Sequence, residues 1–399
     1  MAIMSRRDVF RIAGASLATG GTVVPAASQP AATVHGIEPN PIKRRGVGFR
    51  GVDKARADAG FTLFAPIAAT NRTVYLIDME GTVVHHWEMP YSPGLHGYLT
   101  ERGTLFYNGK IPNETHLGKT PFMGGSVMEV DWKGKILWEV KHPEHHHDGI
   151  RLRNGNVMLI CARELAPAMA RRVRGGRAGS EYDGGRMNAD YLLEMTTDGK
   201  VVWEWRVADH LDPEKDHITG EQDPRDEWTH ANGLSEMRDG NILLSCRNTS
   251  TVMMIDRKTG NISWKLGPPP LSGQHAPYLL ENGHVLLFDN GPHRLDETFP
   301  YSRVLEIDPA TNAIVWKFQE SPLQNFFSDR ISNAVRLRNG NTLINEGVFG
   351  RFFEVTPDGG VVWEYVNPYF GGPPNAQTNS VFRVQRYSNA EIERARRAT

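Results

Sequence analysis

The stretch HPEHHHDGIRLRNGNVMLI, His142 to Ile160, joins a cluster of histidines to the pattern of a β-hairpin. Alternating residues on both sides of Asn154-Gly155 predict two antiparallel strands connected by a two-residue turn. Four related hairpins occur elsewhere in the chain: GLHGYLTERGTLFYNG (94–109), WTHANGLSEMRDGNILLSCR (228–247), GQHAPYLLENGHVLLFDNG (273–291) and RISNAVRLRNGNTLINEG (330–347). One hairpin pattern that returns along the chain predicts a repeat architecture.

A second pair of strands accompanies these hairpins, with an acidic turn ahead of a strand that carries tryptophan. The pair occurs six times, and its tryptophans are Trp87, Trp138, Trp203, Trp264, Trp316 and Trp363. Their spacing of roughly 50 to 65 residues is typical of a four-stranded propeller blade with variable loops. We interpret the six tryptophans as wedges between blades, because no chemistry needs six copies of one residue.

The first repeat lacks its innermost strand, and the C-terminal segment from Ser380 to Tyr387 has no partner of its own. Closing the ring with this last strand removes the open sheet edges that would otherwise favour aggregation. The sequence therefore predicts an all-β fold, a six-bladed β-propeller of four-stranded blades over residues 61–388. Residues 31–60 are then an N-terminal extension and residues 389–399 a C-terminal tail.

The N-terminus has the pattern of an export signal. The run Ser5-Arg6-Arg7-Asp8-Val9-Phe10 is followed by a mildly apolar, uncharged stretch from Ile12 to Val24 and by small residues around Pro25 to Ser28. This order predicts a twin-arginine signal peptide over residues 1–30. We therefore expect a folded cargo that acts in a bacterial periplasm or outside the cell, without a membrane span after the signal is removed.

The charge argues against a nucleic-acid-binding protein, and the cysteine content argues against a fold stabilised by several disulfides. A formal net charge of −1 gives no electrostatic footprint for nucleic acid. Only two cysteines are present, Cys161 and Cys246. Both lie in apolar, strand-like runs, so we expect buried free thiols and a fold stabilised by its core.

The repeats align several polar residues at the entrance of the innermost strands. His147, Asn232 and His275 each lie eight residues before a turn glycine, and His96 lies seven before its own; His230 is two residues ahead of Asn232. In a propeller these entrances converge on the central axis. A two-residue turn at Asp239-Gly240 would place Arg247 opposite Asn232, at the same channel mouth.

The remaining histidines are expected elsewhere. His142, His145 and His146 are interpreted as solvated loop residues or supports. The repeat count puts the others off the channel mouth: His85, His86, His116, His210, His217, His284 and His293.

Histidine, arginine and asparagine at one channel mouth favour transfer of a small polyanion. Arginine makes bidentate contacts to tetrahedral oxyanions, asparagine supplies neutral donors, and imidazole can act as nucleophile, acid or base. The sequence has no P-loop and no serine or cysteine triad. Sulfuryl or phosphoryl transfer fits these residues.

The motifs HHD (146–148), HAN (230–232), SCR (245–247), QHAP (274–277) and FDNG (288–291) resemble those of the bacterial PAPS-independent arylsulfate sulfotransferases. These are exported six-bladed propellers that move a sulfuryl group from a phenyl sulfate to a phenol through a sulfohistidine. The resemblance implies that His275 is the nucleophile and that His147 and His230 are the other active-site histidines. It assigns Asn232 and Arg247 to holding sulfate, and we expect no cofactor.

The chain departs from the better-known members of that family in two respects. We expect no N-terminal β-sandwich domain, and no close cysteine pair matches their disulfide. These departures leave dimerisation open and suggest a distant branch, whose acceptor need not be a simple phenol. We expect two long inserts, residues 162–190 and 209–228, to determine specificity.

Two other functions remain open from the sequence. His96, His147, His230 and His275 come from four blades and could together hold Cu, Fe or Zn in an exported metalloenzyme. Arg247 argues against a metal unless an anionic substrate lies between them. Alternatively, the runs Ile255 to Trp264 and Ile307 to Trp316 look like the tryptophan-docking repeats of quinoproteins, which suggests a quinoprotein-like or binding propeller.

Overall fold

Six antiparallel sheets form the ring of a six-bladed β-propeller in the computed structural model, which describes residues 46–69 and 71–398. The predicted signal peptide, residues 1–30, and the first half of the predicted extension, residues 31–45, lie outside the described residues.

The strands follow one another along the chain with few helices between them. The first twelve are β1 (Gly48–Val52), β2 (Phe61–Pro66), β3 (Thr73–Ile77), β4 (Val83–Glu88), β5 (Pro93–Leu99), β6 (Leu105–Lys110), β7 (Gly125–Val130), β8 (Ile136–Lys141), β9 (His145–Arg151), β10 (Val157–Glu164), β11 (Asn188–Met195) and β12 (Val201–Arg206). The others are β13 (Ala231–Glu236), β14 (Ile242–Cys246), β15 (Thr251–Ile255), β16 (Ile262–Leu266), β17 (His275–Leu279), β18 (Val285–Asp289), β19 (Arg303–Asp308), β20 (Ala313–Phe318), β21 (Asn333–Arg336), β22 (Thr342–Glu346), β23 (Arg351–Val355), β24 (Val361–Val366) and β25 (Val381–Tyr387).

The helices are short. They are α1 (Pro167–Ala170), α2 (Asn389–Arg397) and the 3-10 turns Leu117–Lys119, Val207–Asp209, Leu323–Asn325 and Gly347–Phe349. A Ser388 capping box begins α2, which buries Ile392 and Ala395 against the first two blades. No helix in the described part of the chain has the length and apolar character needed to span a membrane.

The blades follow the predicted repeat. Five contain consecutive strands ordered from the channel outward, β5 to β8, β9 to β12, β13 to β16, β17 to β20 and β21 to β24. The first blade has the order β25-β2-β3-β4, so the C-terminal strand supplies its innermost member and closes the ring, as predicted. The strand β1, from the N-terminal extension, adds a fifth, outermost strand to the last blade by pairing with β24.

The tryptophan-bearing strands join neighbouring blades through their indole N–H groups. Trp87 donates to the carbonyl of Asp131 in the next blade at 3.1 Å, and Trp363 donates to Met79 at 2.8 Å across the closure of the ring. Both indoles are almost completely buried. In the third blade Trp205, rather than the expected Trp203, makes the corresponding bond. The indole contact between blades therefore recurs, with a shift of two residues in the third blade, whereas Trp138 in the second blade donates to Glu129 of its own blade.

The inner hairpins turn differently from the prediction. In the β9–β10 hairpin, Leu152 N donates to Asn156 O at 2.9 Å and Gly155 N donates to Leu152 O at 3.0 Å. The loop therefore has three residues, 153–155, and Gly155 takes the left-handed conformation with φ 90°. Three-residue loops of this kind carry a bulge at the left-handed glycine, which shifts the strand register by one.

The same loop in the β13–β14 hairpin overturns the predicted pairing of Asn232 with Arg247. Ala231 pairs with Cys246 and Gly233 with Ser245, so Asn232 lies in a bulge without a partner on β14. Arg247 N instead donates to the carbonyl of His230 at 3.0 Å. The error arose from assuming a two-residue turn.

Candidate active site

The three histidines predicted for chemistry lie at the entrances of three neighbouring inner strands. His147 is in β9, His230 immediately precedes β13, and His275 begins β17. His147 and His230 have φ of 50° and 49°, and Ala276, next to His275, also has 49°. Left-handed backbone at non-glycine residues costs about 1 to 3 kcal/mol and clusters at functional sites. Left-handed residues therefore occur within two residues of the aligned entrance position in each of these three blades.

The rings of His147 and His230 pack edge to face with centroids 4.5 Å apart. Phe122, from the loop before β7, stacks on His147 at 4.5 Å and meets the face of His230 at 4.6 Å. Burial holds the pKa of His147 well below its usual value, and the nearby His230 lowers it further. Two histidines and one phenyl ring thus form one wall of the site, with His147 neutral.

His275 is held by one contact within its own blade and by another from the next blade. Its Nδ1 lies 2.8 Å from Asn290 Oδ1, and its Nε2 accepts a hydrogen bond from the backbone N–H of Ile331 at 3.1 Å. An amide oxygen can only accept, so Nδ1 carries the proton and Nε2 carries a lone pair. Burial, and then the charge of Arg247, keep the pKa of His275 well below its usual value. His275 is therefore a neutral imidazole with a defined tautomer.

The other two histidines are also fixed through Nδ1. His230 Nδ1 contacts Glu227 Oε2, and His147 Nδ1 lies 2.7 Å from His146 Nδ1. Within the described residues, neither His147 Nε2 nor His230 Nε2 has a protein hydrogen-bond partner. The Nε2 atoms of these two rings are therefore the nitrogens available to a substrate.

Arg247 follows β14 and is anchored by an insert. Its Nη1 lies 2.9 Å from Asp223 Oδ2 and 3.1 Å from Asn248 Oδ1. His293 Nε2 contacts the same Asp223 oxygen at 2.8 Å. Burial raises the pKa of Asp223, but the hydrogen bond from His293 and the charge of Arg247 outweigh it and bring the pKa to about 2. His293, which the repeat count puts off the channel mouth, thus shares a carboxylate with Arg247.

Asn232 connects two blades next to His275. Its Nδ2 donates to the carbonyl of Gln274 at 2.8 Å, and Gln274 directly precedes His275. The side chain is fully buried, and its Oδ1 has no hydrogen-bond partner within the described residues. The Gln274 carbonyl can only accept, so it fixes the orientation of the amide, and the unpaired Oδ1 can only accept a hydrogen bond.

His96 does not join the other three histidines. Its Nε2 lies 2.7 Å from Asp148 Oδ1, and the other Asp148 oxygen binds Arg383 Nη2 at 2.6 Å. A bulge in β5 between Pro93 and Gly97 accounts for this difference, because it removes His96 from the regular position. The described residues contain no group of three or more His, Cys, Asp or Glu side chains placed to hold a metal ion.

His96 lines a separate cavity at the far ends of the inner strands. This cavity has a volume of about 590 Å³, and its walls include Tyr98, Arg151, Tyr278 and Arg383. None of His147, His230 and His275 lines it. This cavity therefore lies toward the hairpin turns of the inner strands, and the three histidines lie at the strand entrances.

The histidines expected to be solvated are in part buried supports. His145 and His146 have exposed fractions of 2% and 0%, so a solvated loop is wrong for both. His145 Nδ1 accepts from the N–H of Gly125 at 3.0 Å. His146 contacts His147, as described above. The side chains of His145 and His146 are buried because β9 begins at His145, two residues earlier than the hairpin pattern suggests.

The two inserts pair with each other and support the site from outside. Parallel bridges join Gly175 to Ile218 and Asn188 to Glu227, and Arg177 N donates to the carbonyl of Asp223 at 2.9 Å. The inserts therefore carry Glu227 and Asp223, the partners of His230 and Arg247. Sequence reasoning missed both carboxylates, Phe122 and Ile331, because no repeat position marks them, and it left Asn290 of the FDNG motif without a role. Glu227, three residues before His230, was the one with a local signal.

Both cysteines are free and buried, as predicted. The structure has Cys161 in β10 and Cys246 at the end of β14. Burial raises the pKa of each thiol well above its usual value. They are therefore core residues and not nucleophiles.

Comparison with known proteins agrees with the resemblance. A model of the arylsulfotransferase (ASST) family matches residues 53–271 and 270–368. The arylsulfate sulfotransferases AssT of Escherichia coli O6:H1 and of Lelliottia amnigena are both 22% identical to this chain, over 369 and 368 residues. Each alignment covers 70% of this chain and 58% of the relative, so the chain spans little more than half the length of these relatives.

Among solved structures, one similar chain is a protein of unknown function from Bacteroides caccae, with a TM-score of 0.49 and 13% identity. The match covers 77% of this chain and 94% of that one. The family match extends over most of the propeller, from the turn after β1 to the outer strand of the last blade. The chain therefore belongs to the arylsulfotransferase family.

Proposed function

We propose that this chain transfers a sulfuryl group from an aryl sulfate to a phenol or another hydroxyl acceptor, with His275 as the covalent carrier. One observation carries the proposal: the Nδ1 of each of three neighbouring histidines is bound within the protein, beside the guanidinium of Arg247. Family membership supports the class of reaction, and the neutral state of His275 supports its role as nucleophile.

In the first half-reaction the lone pair of His275 Nε2 attacks sulfur. An N–S bond forms, the bond between sulfur and the phenolic oxygen breaks, and the electron pair leaves with that oxygen. The proton stays on Nδ1, which continues to donate a hydrogen bond to Asn290 Oδ1. In the structure the Ile331 N–H donates a hydrogen bond to the lone pair of Nε2, so this bond must break before Nε2 attacks sulfur. In the second half-reaction the acceptor oxygen takes the sulfuryl group from His275.

The other residues stabilise charge or move protons. Arg247 supplies a charged donor for the sulfuryl oxygens, and one such donor to a developing oxyanion is worth about 3 kcal/mol. The partly exposed guanidinium of Arg247 favours this role. The unpaired Oδ1 of Asn232 can only accept a hydrogen bond, so Asn232 could hold sulfate only through its Nδ2, which now donates to the Gln274 carbonyl. His147 and His230 are the candidate acid and base groups for the phenolic oxygen.

We propose further that the reaction uses no cofactor or metal. Histidines fixed by carboxylates also occur in metal sites, so the contacts of Nδ1 do not distinguish the metal-free reaction from a metalloenzyme. Arg247 supports the metal-free reaction, because a fixed cation beside a metal dication is electrostatically unfavourable unless an anionic substrate lies between them. The separate position of His96 also supports the metal-free reaction. Export to the periplasm or the cell exterior by the twin-arginine route remains part of the proposal.

The test is to trap the covalent carrier. Purified protein is mixed with 4-nitrophenyl sulfate without an acceptor and digested within seconds at neutral pH, because sulfohistidine is labile in acid. We expect a sulfuryl adduct on the peptide that contains Gln274 to Pro277. His275→Asn retains hydrogen-bonding capacity but cannot attack sulfur, so it should form no adduct and turn over no donor.

The matched control is His284→Asn, a substitution in the same hairpin whose imidazole binds Glu306 away from the site. This variant should retain both adduct and turnover. An adduct on His147 or His230 would show that this proposal names the wrong histidine as nucleophile. Normal turnover by His275→Asn would rule out the covalent mechanism.

A further inference from the structure

A buried chain of polar groups extends from His147 into the core of the third blade. His147 Nδ1 lies 2.7 Å from His146 Nδ1, and His146 Nε2 lies 2.9 Å from Asp190 Oδ1. The exposed fractions of the three residues are 3%, 0% and 3%. The two histidines are therefore joined by a hydrogen bond, and His146 and Asp190 by a close charge contact, at positions shielded from solvent.

The Asp190 carboxylate is fixed in its orientation. Its Oδ2 accepts from the N–H of Ala231 at 2.8 Å and from the hydroxyl of Thr229. Its Oδ1 has only His146 beside it in the described part of the chain. The Asp190 carboxylate thus faces His146 with one oxygen and holds the strand after His230 with the other.

The close approach of two Nδ1 atoms restricts where protons can be. A distance of 2.7 Å requires one nitrogen to carry a proton and the other to present a lone pair. His146 Nε2 keeps its proton in either case, because the Asp190 carboxylate lies 2.9 Å away and stabilises it electrostatically, without the alignment of a hydrogen bond. The pair consequently has two states: His146 cationic beside a His147 protonated on Nε2, or His146 neutral beside a His147 with a free lone pair on Nε2.

We propose that Asp190 and His146 form a proton relay that ends at His147 Nε2 and serves the phenolic oxygen during sulfuryl transfer. The inference rests on the proposed function and deepens it. His147 is then the group that touches the substrate, and His146 and Asp190 act through it as positioning residues.

The protons balance over the two half-reactions. When the S–O bond of the donor breaks, His147 Nε2 gives its proton to the departing oxygen, and His147 Nδ1 takes the proton of His146 Nδ1. His146 becomes neutral, and a phenol leaves instead of a phenolate. When the acceptor attacks the sulfohistidine, its hydroxyl proton passes to His147 Nε2, and the Nδ1 proton returns to His146.

The surroundings of His146 stabilise its cationic form. Burial lowers its pKa, but Asp190, and then Glu227, raise it by more, so the pKa lies above its usual value. His145 and His147 flank it in the chain, and the ring centroid of Phe122 lies 6.2 Å from that of His146. A cation at His146 also lowers the pKa of His147, which suits a donor that must release its proton.

The test measures how the donor half-reaction depends on the leaving group. A series of aryl sulfates is compared by kcat/KM, from 4-nitrophenyl sulfate, with a readily departing phenolate, to unsubstituted phenyl sulfate, with a poor one. The wild-type protein should depend weakly on phenol acidity, because the relay protonates the oxygen. His146→Gln and Asp190→Asn should lose about 10²-fold on phenyl sulfate and less than about 5-fold on 4-nitrophenyl sulfate.

The control is His145→Gln, which replaces the adjacent buried histidine that has no contact with His147. It should keep the wild-type dependence on the leaving group. Equal losses on all donors in the His146 and Asp190 variants would reduce both residues to structural supports. A steep dependence in the wild-type protein would overturn the relay without any variant. Absence of turnover and adduct in the wild-type protein would instead remove the proposed function itself.

Discussion

Arg247 and Asp223 form an ion pair of 2.9 Å that joins an inner hairpin to the insert over residues 209–228. Asp223 also binds His293, from the following blade. The guanidinium at the channel mouth is therefore held by elements of two blades and one insert. Its position depends on a loop that has no counterpart in the other repeats.

Removing the guanidinium should affect turnover more than folding. Arg247→Ala is expected to lower kcat/KM on 4-nitrophenyl sulfate by about 10²-fold, the usual effect of losing one donor to an oxyanion. The side chain retains 16% exposure, so we expect a loss of stability below about 2 kcal/mol. Steady-state kinetics and chemical denaturation measure the two effects separately. An unchanged rate, or a collapse of the melting temperature, would make Arg247 a structural residue.

Replacing the anchor should change the arginine's position without removing its charge. In Asp223→Asn the guanidinium loses its ionic partner but remains cationic, so we expect KM for the donor to rise and a smaller loss of kcat than in Arg247→Ala. Asp216→Asn, in the same insert, is the matched control, because Asp216 binds Lys265 instead. Equal effects of the two asparagine variants would contradict the anchoring role.

Loss of the carboxylate behind His230 should slow the reaction. Glu227 contacts His230 Nδ1 and orients the ring, so Glu227→Gln should lower kcat on aryl sulfates by about 10-fold, while His230→Asn should lower it by about 10²- to 10⁴-fold. Rates of the two variants and of the double variant measure this. If the two losses multiply in the double variant, Glu227 acts independently of His230.

Treatment with a metal chelator should leave activity intact. Arg247 disfavours a metal dication near the three histidines, and His96 is engaged with Asp148. Elemental analysis of the purified protein should give well under one transition-metal ion per chain. A ratio near one, with activity lost on stripping and restored on return, would favour the metalloenzyme.

Acidification should destabilise the fold through its neutral buried histidines. Burial lowers the pKa of His145 from 6.5 to about 3, and those of His147 and His275 are also low. Below pH 6.5 the unfolded chain binds protons that these residues do not bind in the folded protein, so stability falls as pH falls. One such histidine costs about 2 kcal/mol between pH 7 and pH 5.

The pH effect of His145 can be isolated by substitution. His145→Gln should reduce the difference in free energy of unfolding between pH 7 and pH 5 by about 2 kcal/mol, measured by urea denaturation at both pH values. His86→Gln, on the exposed outer strand β4, is the control and should leave the difference unchanged. An unaltered pH dependence in His145→Gln would mean that His145 is protonated in the folded protein.

Local patterns predicted the fold better than they predicted the site. Alternation around turn glycines located the inner hairpins, and the unpartnered C-terminal strand predicted ring closure. The pairing of Asn232 with Arg247 failed because a left-handed glycine makes the loops three residues long, and because a bulge at Asn232 shifts the ladder again. Such bulges depend on the packing of neighbouring blades, which hairpin statistics do not contain.

The sequence by itself determined the repeat, the number of blades, the closing strand and the three inner-strand entrances that carry histidine. Each of these follows from patterns within a few tens of residues. The tertiary structure decided which nitrogens face the channel and why His96 stands apart. Asn290 and Asp190 fix histidine rings within their own blades, whereas Glu227 and Asp223 fix His230 and Arg247 from an insert. These contacts require two atoms within about 3 Å, and only the folded chain brings side chains so distant in sequence that close.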